Sequence, residues 1–508
     1  MSIARATVAN YARLAVTAAS QLAVVPVLVD HVGAGTYGLY ALVISAVSFF
    51  SLLEFGAGVG ALRAVAAADS PDERQRRNAA LSTMLILSTG LAVVALILLL
   101  AIAPVTPALL RIPDAQRADG LALLVLMGLR SAVLPWPLGI FRGALIGRGD
   151  VGLANAIQAA SAALYAGAAL ILVPRGLGIV GVGGLSLAAF LVEHAAYVVF
   201  AFRRLPGLSL SPRLFDRGEL RAAVSLGASQ TLVSLTGLLL LRTDPLIVGW
   251  RMPLEAVAAY AVALRVAEQA LMVTKQFVNA LAPFIARLGG SDDRAALGRL
   301  LVLGVRASLV PAVVVALPLA AFSTQVLTVW VGPSMAQAGP ALALLSVATA
   351  LMAPQLVVCS LFTYTGRHRL TGRIALASAL VNVVASVTLV GPLGLTGVSL
   401  GTLAAVIVVD LAVAGRLALR CFDVTPKTLL VDGFGRALLP AVPAMLVAAV
   451  ARQAYALDSI WQLVGASALA ASTYLVGFWF SGVPRGQRLA ITGQWRSWWR
   501  FLGAPANS

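Results

Sequence analysis

Apolar segments long enough to cross a lipid bilayer recur along the whole chain, and this recurrence most restricts what the chain can fold into. Hydrophobic residues make up 60% of its 508 positions. Because lipid offers no water to backbone polar groups, such segments cross a membrane as helices. At roughly 20 residues per span, the sequence predicts an all-α polytopic membrane protein with about 14 transmembrane helices. They are expected near residues 8–30, 38–62, 79–102, 119–143, 151–173, 178–200, 221–241, 255–284, 300–328, 339–363, 374–390, 395–418, 434–452 and 459–481.

Basic residues are distributed unevenly among the loops, although the net charge is +17. With the N-terminus inside, the inner loops are rich in arginine, and the outer loops hold only Arg111, Arg117, Arg175, Arg251 and Arg452. The positive-inside rule therefore predicts that both termini are cytoplasmic. Short basic loops beside apolar segments suit anionic lipid headgroups, so membrane lipids are expected partners and nucleic acid is not.

Short motifs recur in the same order about 216–220 residues apart, as they do in transporters with parallel repeats. Pro26–Val29 (PVLV) matches Pro245–Val248 (PLIV), and residues 178–182 (GIVGV) match 394–398 (GLTGV). The repeat predicts two pseudo-symmetric six-helix lobes. The predicted organisation is an N-lobe at 1–210, a C-lobe at 211–421, an extra helix pair at 422–482, and a basic, Trp-rich cytoplasmic tail at 483–508.

A stripe of charged residues lies within the eighth predicted helix. Arg265, Glu268 and Lys275 are separated by helical steps and so share one face. A charged side chain at the bilayer centre costs at least about 2.5–3.5 kcal/mol. The stripe is therefore expected to face a water-filled cavity, or to form internal ion pairs such as Arg265 with Glu268.

Other charged residues also fall within predicted helices. Arg13, Glu54 and Arg63 belong to the first two helices, and Asp244 lies in the corresponding part of the second lobe. Arg130 precedes two prolines at 135 and 137, where a helix would kink. Four arginines near predicted helix ends can instead extend to lipid headgroups: Arg63, Arg142, Arg242 and Arg306.

The residue types that support catalysis form no recognisable motif. Cys359 and Cys421 indicate neither a disulfide framework nor a metal site. The chain contains no phosphate-binding loop, zinc-binding helix motif or nucleophile elbow. We therefore expect no catalytic residues, no metal and no bound cofactor, and predict that the chain is not an enzyme.

Residues 32–41 (VGAGTYGLYA), 52–58 (LLEFGAG) and 243–249 (TDPLIVG) resemble Wzx-type oligosaccharide-lipid flippases. These belong to the MOP exporter superfamily, together with lipid II flippases and MATE drug antiporters. The resemblance implies a two-lobed transporter of the bacterial inner (cytoplasmic) membrane. Such a transporter flips polyprenyl-diphosphate-linked oligosaccharide to the outer leaflet for cell-surface polysaccharide assembly, by alternating access with a cationic central cavity.

The resemblance and the buried charges together predict the functional residues. The expected residues for binding the diphosphate and glycan are Arg13, Arg63, Arg130, Arg265 and Lys275. The candidates for coupling carboxylates or for salt-bridge partners of the arginines are Glu54, Asp244 and Glu268. Transport is expected to be coupled to the membrane potential, H⁺ or Na⁺. The expected partners are the lipid-linked glycan and, as a further candidate, polysaccharide polymerase machinery, with the transporter itself a monomer.

Two other functions stay open at this point. A MATE-like cation antiporter would favour buried acids, whereas here the buried basic residues outnumber them. A membrane glycosyltransferase or polymerase would need a sizeable outer loop, and the first predicted outer loop covers only residues 31–37.

Overall fold

In a computed structural model, the residues described are 3–53, 57–68, 70–224, 238, 242–289 and 293–483. Within these ranges the secondary structure is helical and contains no β-strand. Twelve segments of the described chain are long and apolar enough to cross a membrane. The protein is therefore an all-α, multi-pass membrane protein.

The twelve segments can be compared one by one with the predicted spans. Eleven of them correspond to single predicted spans, including the last two, at Pro426–Ala454 and Ile460–Gly482. The remaining segment, Arg369–Cys421, covers two predicted spans. Its backbone breaks at Gly394, which has a φ of +57°. The seventh predicted span, 221–241, lies mostly outside the described residues. The count of fourteen therefore stays a prediction.

The chain divides into two compact units, and the first comprises Met1–Val262 with Ser386–Val398. The predicted lobe boundaries themselves stay predictions. The helices of unit 1 include α1 (Ile3–Val32), α2 (Ala34–Ser48), α3 (Ala57–Ala66), α4 (Pro71–Ile102), α5 (Thr106–Leu109), α6 (Arg117–Gly128), α7 (Pro135–Gly147), α8 (Val151–Leu172), α9 (Ile179–Arg204) and α10 (Thr243–Arg251). Helix α11 (Leu254–Gly289) begins in unit 1 and continues in unit 2.

Helices α3 and α7 approach each other closely through glycine. A Cβ atom on Gly143 would clash with the backbone of Gly58, and one on Gly147 would clash with the backbone of Leu62. Glycines spaced four residues apart let membrane helices pack backbone to backbone. This contact fixes α7, the helix that carries Arg142, against α3.

We expect Gly143→Ala to lower the melting temperature of the purified protein, because overpacking typically costs about 1–3 kcal/mol. Gly139, one turn earlier on α7, has open space around its Cβ position. Gly139→Ala should therefore gain up to about 1 kcal/mol of helix propensity. Thermal unfolding in detergent measures both variants, and equal melting temperatures would contradict the close packing.

Unit 2 comprises Ala263–Ala385 and Ser399–Ser508. After α11, its described α-helices of eight or more residues are α12 (Arg294–Ala321), α13 (Ser323–Trp330), α14 (Gly339–Tyr364), α15 (His368–Ala405, which passes through unit 1 at 386–398), α16 (Ala414–Cys421), α17 (Ala441–Ala454) and α18 (Ile460–Gly477). Its main core packs α12 against α14 through fully buried residues such as Leu301 and Leu361. These buried apolar residues account for the cohesion of unit 2.

The last two spans pack onto α12. Phe322, Ala444 and Tyr474 belong to one buried cluster, and the Tyr474 hydroxyl donates to the Ala437 carbonyl at 3.0 Å. Arg306 is buried on α12, and its Nη1 donates to the Gly482 carbonyl at 3.2 Å. Rather than extending to headgroups, Arg306 thus joins α12 to the end of the last span.

Candidate functional site

Three arginines lie half-buried inside unit 1. Arg13 is on α1, Arg130 is in the irregular turn after α6, and Arg142 is on α7. The Nε atom of each is buried and has no hydrogen-bond partner among the described residues. Buried donors are normally paired with protein, water or ligand. These three arginines therefore have hydrogen-bonding capacity left for water or an acceptor that enters from outside.

Arg13 is positioned by polar contacts between α1 and α8. The Asn155 side-chain amide donates to Asn10 Oδ1 at 2.6 Å, and one turn further along Arg13 Nη1 donates to Gln158 Oε1 at 3.2 Å. Both pairs advance by three residues on each helix, so they follow the same interhelical face. Gln158 thus orients the Arg13 guanidinium and leaves its Nε unused.

Arg130 is held by an irregular stretch of backbone. Leu129–Val133 form a π-helical turn, and the Leu134 amide donates to the Leu129 carbonyl at 3.0 Å. Pro135, which has no N–H, then begins α7. Such π-turns occur frequently at functional sites. The Arg130 guanidinium contacts the Ser131 hydroxyl at 3.4 Å.

One acidic residue, Glu193 on α9, accompanies these arginines. The charges of Arg130 and Arg142 both act on its carboxylate. The Tyr197 hydroxyl lies 3.0 Å from Glu193 Oε1 and 3.2 Å from the Ala154 carbonyl oxygen, which fixes the carboxylate against α8. With three guanidinium groups and one carboxylate, this cluster carries excess positive charge and favours an anion.

We call Arg13, Arg130, Arg142 and Glu193 the N-unit arginine cluster. Arg142 also acts electrostatically on Arg13, so all four residues are coupled. The sequence predicts Arg142 near a helix end and indicates no functional role for Glu193. Arg142 lies five residues before the end of α7, which continues to Gly147. The charge pattern alone did not show which way these side chains point.

Arg63 lines a different cavity of about 420 Å³ near the start of α4. Arg76 and Glu219 border the same cavity and form an ion pair at 3.1 Å. Arg77 also borders it and is itself buried, with Nη2 donating to the Pro206 carbonyl at 3.2 Å. This second basic pocket is at the end of unit 1 that the charge distribution predicts to be cytoplasmic.

The predicted stripe lies on α11 in unit 2. Arg265, Glu268 and Lys275 are all half-buried, and the charge of Glu268 acts on Lys275. The helix Leu254–Gly289 is continuous through the stripe, as its one-face spacing requires. The structure therefore assigns these residues to unit 2, whereas Arg13, Arg63 and Arg130 belong to unit 1.

The other two predicted carboxylates are Asp244 and Glu54. Asp244 is buried in unit 1, where it accepts a hydrogen bond of 2.7 Å from Tyr260, and the Ser386 hydroxyl lies 3.5 Å from its other oxygen. These contacts hold the Asp244 carboxylate in one orientation. Glu54 lies outside the described residues.

Solved structures of MOP superfamily transporters and of a lipid II flippase share this fold. The structure of the lipid II flippase MurJ in an inward closed conformation has a TM-score of 0.72 at 13% identity. The match covers 94% of this chain and 98% of the MurJ chain. A multidrug resistance MATE transporter, inward-facing, has a TM-score of 0.69 at 17% identity, with 81% and 96% covered. A MOP superfamily transporter from Pyrococcus furiosus has a TM-score of 0.57 at 17% identity, with 83% and 96% covered. At these identities the likeness is one of fold.

The family follows from sequence models. Residues 12–289, more than half of the chain, match the model described as polysaccharide biosynthesis protein, and residues 231–388 match the MatE model. The chain belongs to the polysaccharide biosynthesis protein family. No curated protein matches it.

Proposed function

We propose that this protein flips polyprenyl-diphosphate-linked oligosaccharide from the inner to the outer leaflet of the bacterial cytoplasmic membrane, for cell-surface polysaccharide assembly. It acts by alternating access with a cationic cavity, and both termini are cytoplasmic. Membership of the polysaccharide biosynthesis family and the fold shared with a lipid II flippase support this function.

The observation that carries the proposal is the N-unit arginine cluster. A diphosphate has several oxygen acceptors, and the planar guanidinium fork binds phosphate oxygens bidentately. The buried Nε atoms of Arg13, Arg130 and Arg142 have no acceptor within the described residues. A diphosphate provides acceptors for these donors and also offsets their mutual repulsion. The similarity of the fold to that of a lipid II flippase also supports a lipid-linked headgroup as the substrate.

The physical task of the protein explains why such a cluster would sit in a membrane. A charged sugar diphosphate cannot cross about 30 Å of hydrocarbon unaided, whereas its prenyl tail can stay in lipid. An arginine-lined wet cavity removes that barrier for the headgroup. Each negative charge moved outward against an inside-negative potential gains about 2.3 kcal/mol per 100 mV. We propose that the potential assists export, with Asp244 or Glu268 as candidates for coupling to H⁺ or Na⁺.

A cation antiporter is the second candidate, favoured by the MatE match at residues 231–388 and by the MATE structures. The excess positive charge of the N-unit arginine cluster opposes this function, because a cationic drug would be repelled.

The structure suits a glycosyltransferase or polymerase less well than a transporter. Gly33 alone separates α1 from α2, which leaves no loop there for a catalytic site.

Ligand-induced thermal stabilisation of the purified protein tests the substrate class. We expect undecaprenyl diphosphate to raise the melting temperature, because a ligand at 100 times its Kd stabilises the folded state by about 2.7 kcal/mol. Undecaprenol, which has the same tail and no diphosphate, is the matched control and should have a much smaller effect. Stabilisation by an organic cation such as rhodamine 6G, with none by the diphosphate, would favour the antiporter.

A further inference from the structure

Another basic pocket of unit 1 is separate from both the N-unit arginine cluster and the cavity lined by Arg63. It has a volume of about 390 Å³ and lies between the segment that follows α5 and the short turn between α10 and α11. Arg111, Trp250, Arg251 and Glu255 supply its charged and aromatic lining. We call it the Trp250 pocket. On the predicted topology it opens at the outer surface.

Two guanidinium groups converge on one indole ring in this pocket. The Cζ atom of Arg251 lies 4.1 Å from the centroid of the Trp250 ring, and that of Arg111 lies 5.9 Å from it. Both distances are within the range of cation–π attraction. Trp250 is still 40% exposed. The ring thus holds two positive charges beside a cavity that remains open to a ligand.

Arg111 has an unusual backbone conformation for a residue other than glycine. Arg111 has a φ of +53°, in the left-handed region that favours glycine. It occupies the position after the end of α5 where glycine is usual, since the Ile112 amide bonds to the Pro107 carbonyl at 2.8 Å and the Arg111 amide to the Ala108 carbonyl at 3.2 Å. Arginine is strained at this position, and a backbone outlier of this kind is grounds for a functional hypothesis.

The charge balance of the pocket points to an anion. Neither guanidinium has a carboxylate within ion-pair distance in the described part of the chain. Glu255 is the pocket's acidic lining residue, and its carboxylate lies against Gly35 in the first turn of α2. By contrast, Arg117, another arginine of the predicted outer loops, pairs with Asp114 at 2.7 Å. Outer loops disfavour arginine, so two unpaired ones at a single ring need an explanation.

We infer that the Trp250 pocket binds an oxyanion, a carboxylate or phosphate, carried on a saccharide or a lipid headgroup. Arg111 and Arg251 would bind the oxyanion by charge-assisted hydrogen bonds. The Trp250 ring provides the apolar wall that small-molecule sites commonly have. An acidic sugar of the exported glycan is one source of the oxyanion and an anionic outer-leaflet lipid is the other. The choice of an exported glycan rests on the proposed function, whereas anion binding by the pocket does not.

Isothermal titration of the full chain in phosphatidylcholine nanodiscs tests this site. We expect a diglucuronic acid to bind and a neutral glucose disaccharide not to bind. Arg111→Gly removes the guanidinium and relaxes the left-handed backbone, so the variant should fold at least as well as the parent and bind at least 10-fold more weakly. Arg251→Gln should show the same loss. Arg175→Gln, at an exposed arginine in another predicted outer loop, is the matched control and should bind as the parent does.

A second arm replaces the disaccharide with short-chain phosphatidylglycerol. Binding of this lipid but not of the acid sugar, with the same dependence on Arg111 and Arg251, would identify a headgroup site and uphold the anion site. Binding that neither substitution weakens, or no binding of either probe, would overturn it. Failure of the proposed function is distinguishable, because the parent would then bind the anion here but flip no polyprenyl lipid.

Discussion

Replacing Arg142 by glutamine is expected to slow flipping of a polyprenyl-diphosphate oligosaccharide by about 10- to 100-fold. The estimate follows from losing one hydrogen bond to a charged group, which contributes about 1.5–3 kcal/mol, at 1.4 kcal/mol per tenfold change. Arg142 acts on both Arg13 and Glu193, so it links the members of the N-unit arginine cluster. Initial flipping rates in proteoliposomes give the comparison.

The stability of this variant separates function from folding. Arg142 Nε is buried with no partner among the described residues, and Arg142 repels Arg13. Glutamine removes both the repulsion of Arg13 and the attraction of Glu193, so we expect the melting temperature to change little. Arg142→Lys should fall between parent and Arg142→Gln, since lysine keeps the charge without the bidentate fork. Arg452 is exposed, so Arg452→Gln serves as the control and should flip the lipid at the parent rate. If Arg142→Gln also flipped it at the parent rate, Arg142 would not belong to the site.

Arg265→Ala is expected to abolish flipping, with a loss of at least about 100-fold, without lowering the abundance of the protein. The expectation rests on the stripe on α11, where Arg265 and Lys275 share one face with Glu268. Losing a phosphate-binding arginine removes about 1.5–3 kcal/mol for each charged hydrogen bond, and a bidentate pair doubles that loss. Flipping rate and membrane abundance are measured on the same preparations.

Two variants of the same helix serve as controls for Arg265→Ala. Val273 is about half exposed, at 48%, and carries no charge, so Val273→Ala should flip at the parent rate. Arg265→Lys should retain part of the activity. If Arg265→Ala flipped the lipid at the parent rate, the stripe would be structural. Ion pairs within α11 would then explain it.

Much of the helical framework was predictable because bilayer thickness sets a minimum length for apolar segments. Hydropathy located the last two spans as well as the long early ones. It also separated two spans at 374–390 and 395–418, and the backbone of Arg369–Cys421 breaks between them at Gly394. Hydropathy could not show that this glycine is left-handed, because its conformation does not change the composition. Nor could it show that the first two helices are separated by Gly33 alone.

The candidate site was less predictable, because charge spacing along one helix does not reveal partners on another. Arg13 and Arg130 were expected to bind substrate, and the structure adds Arg142 and Glu193 to their surroundings. The π-turn at Leu129–Val133 had a sequence signal in the two prolines that follow it. The interaction of Glu193 with Tyr197 had a weaker one, the four-residue spacing of an acid and a tyrosine on one helix.

The most direct test of the central proposal is a leaflet-accessibility assay on the parent protein in proteoliposomes. A labelled polyprenyl-diphosphate oligosaccharide is followed with and without an imposed potential, negative on the side that the headgroup leaves. The proposed function predicts that the lipid changes leaflet and that the potential accelerates it, because each negative charge gains about 2.3 kcal/mol per 100 mV. A lipid that stays in its leaflet while an organic cation exchanges for H⁺ or Na⁺ would contradict the flippase proposal.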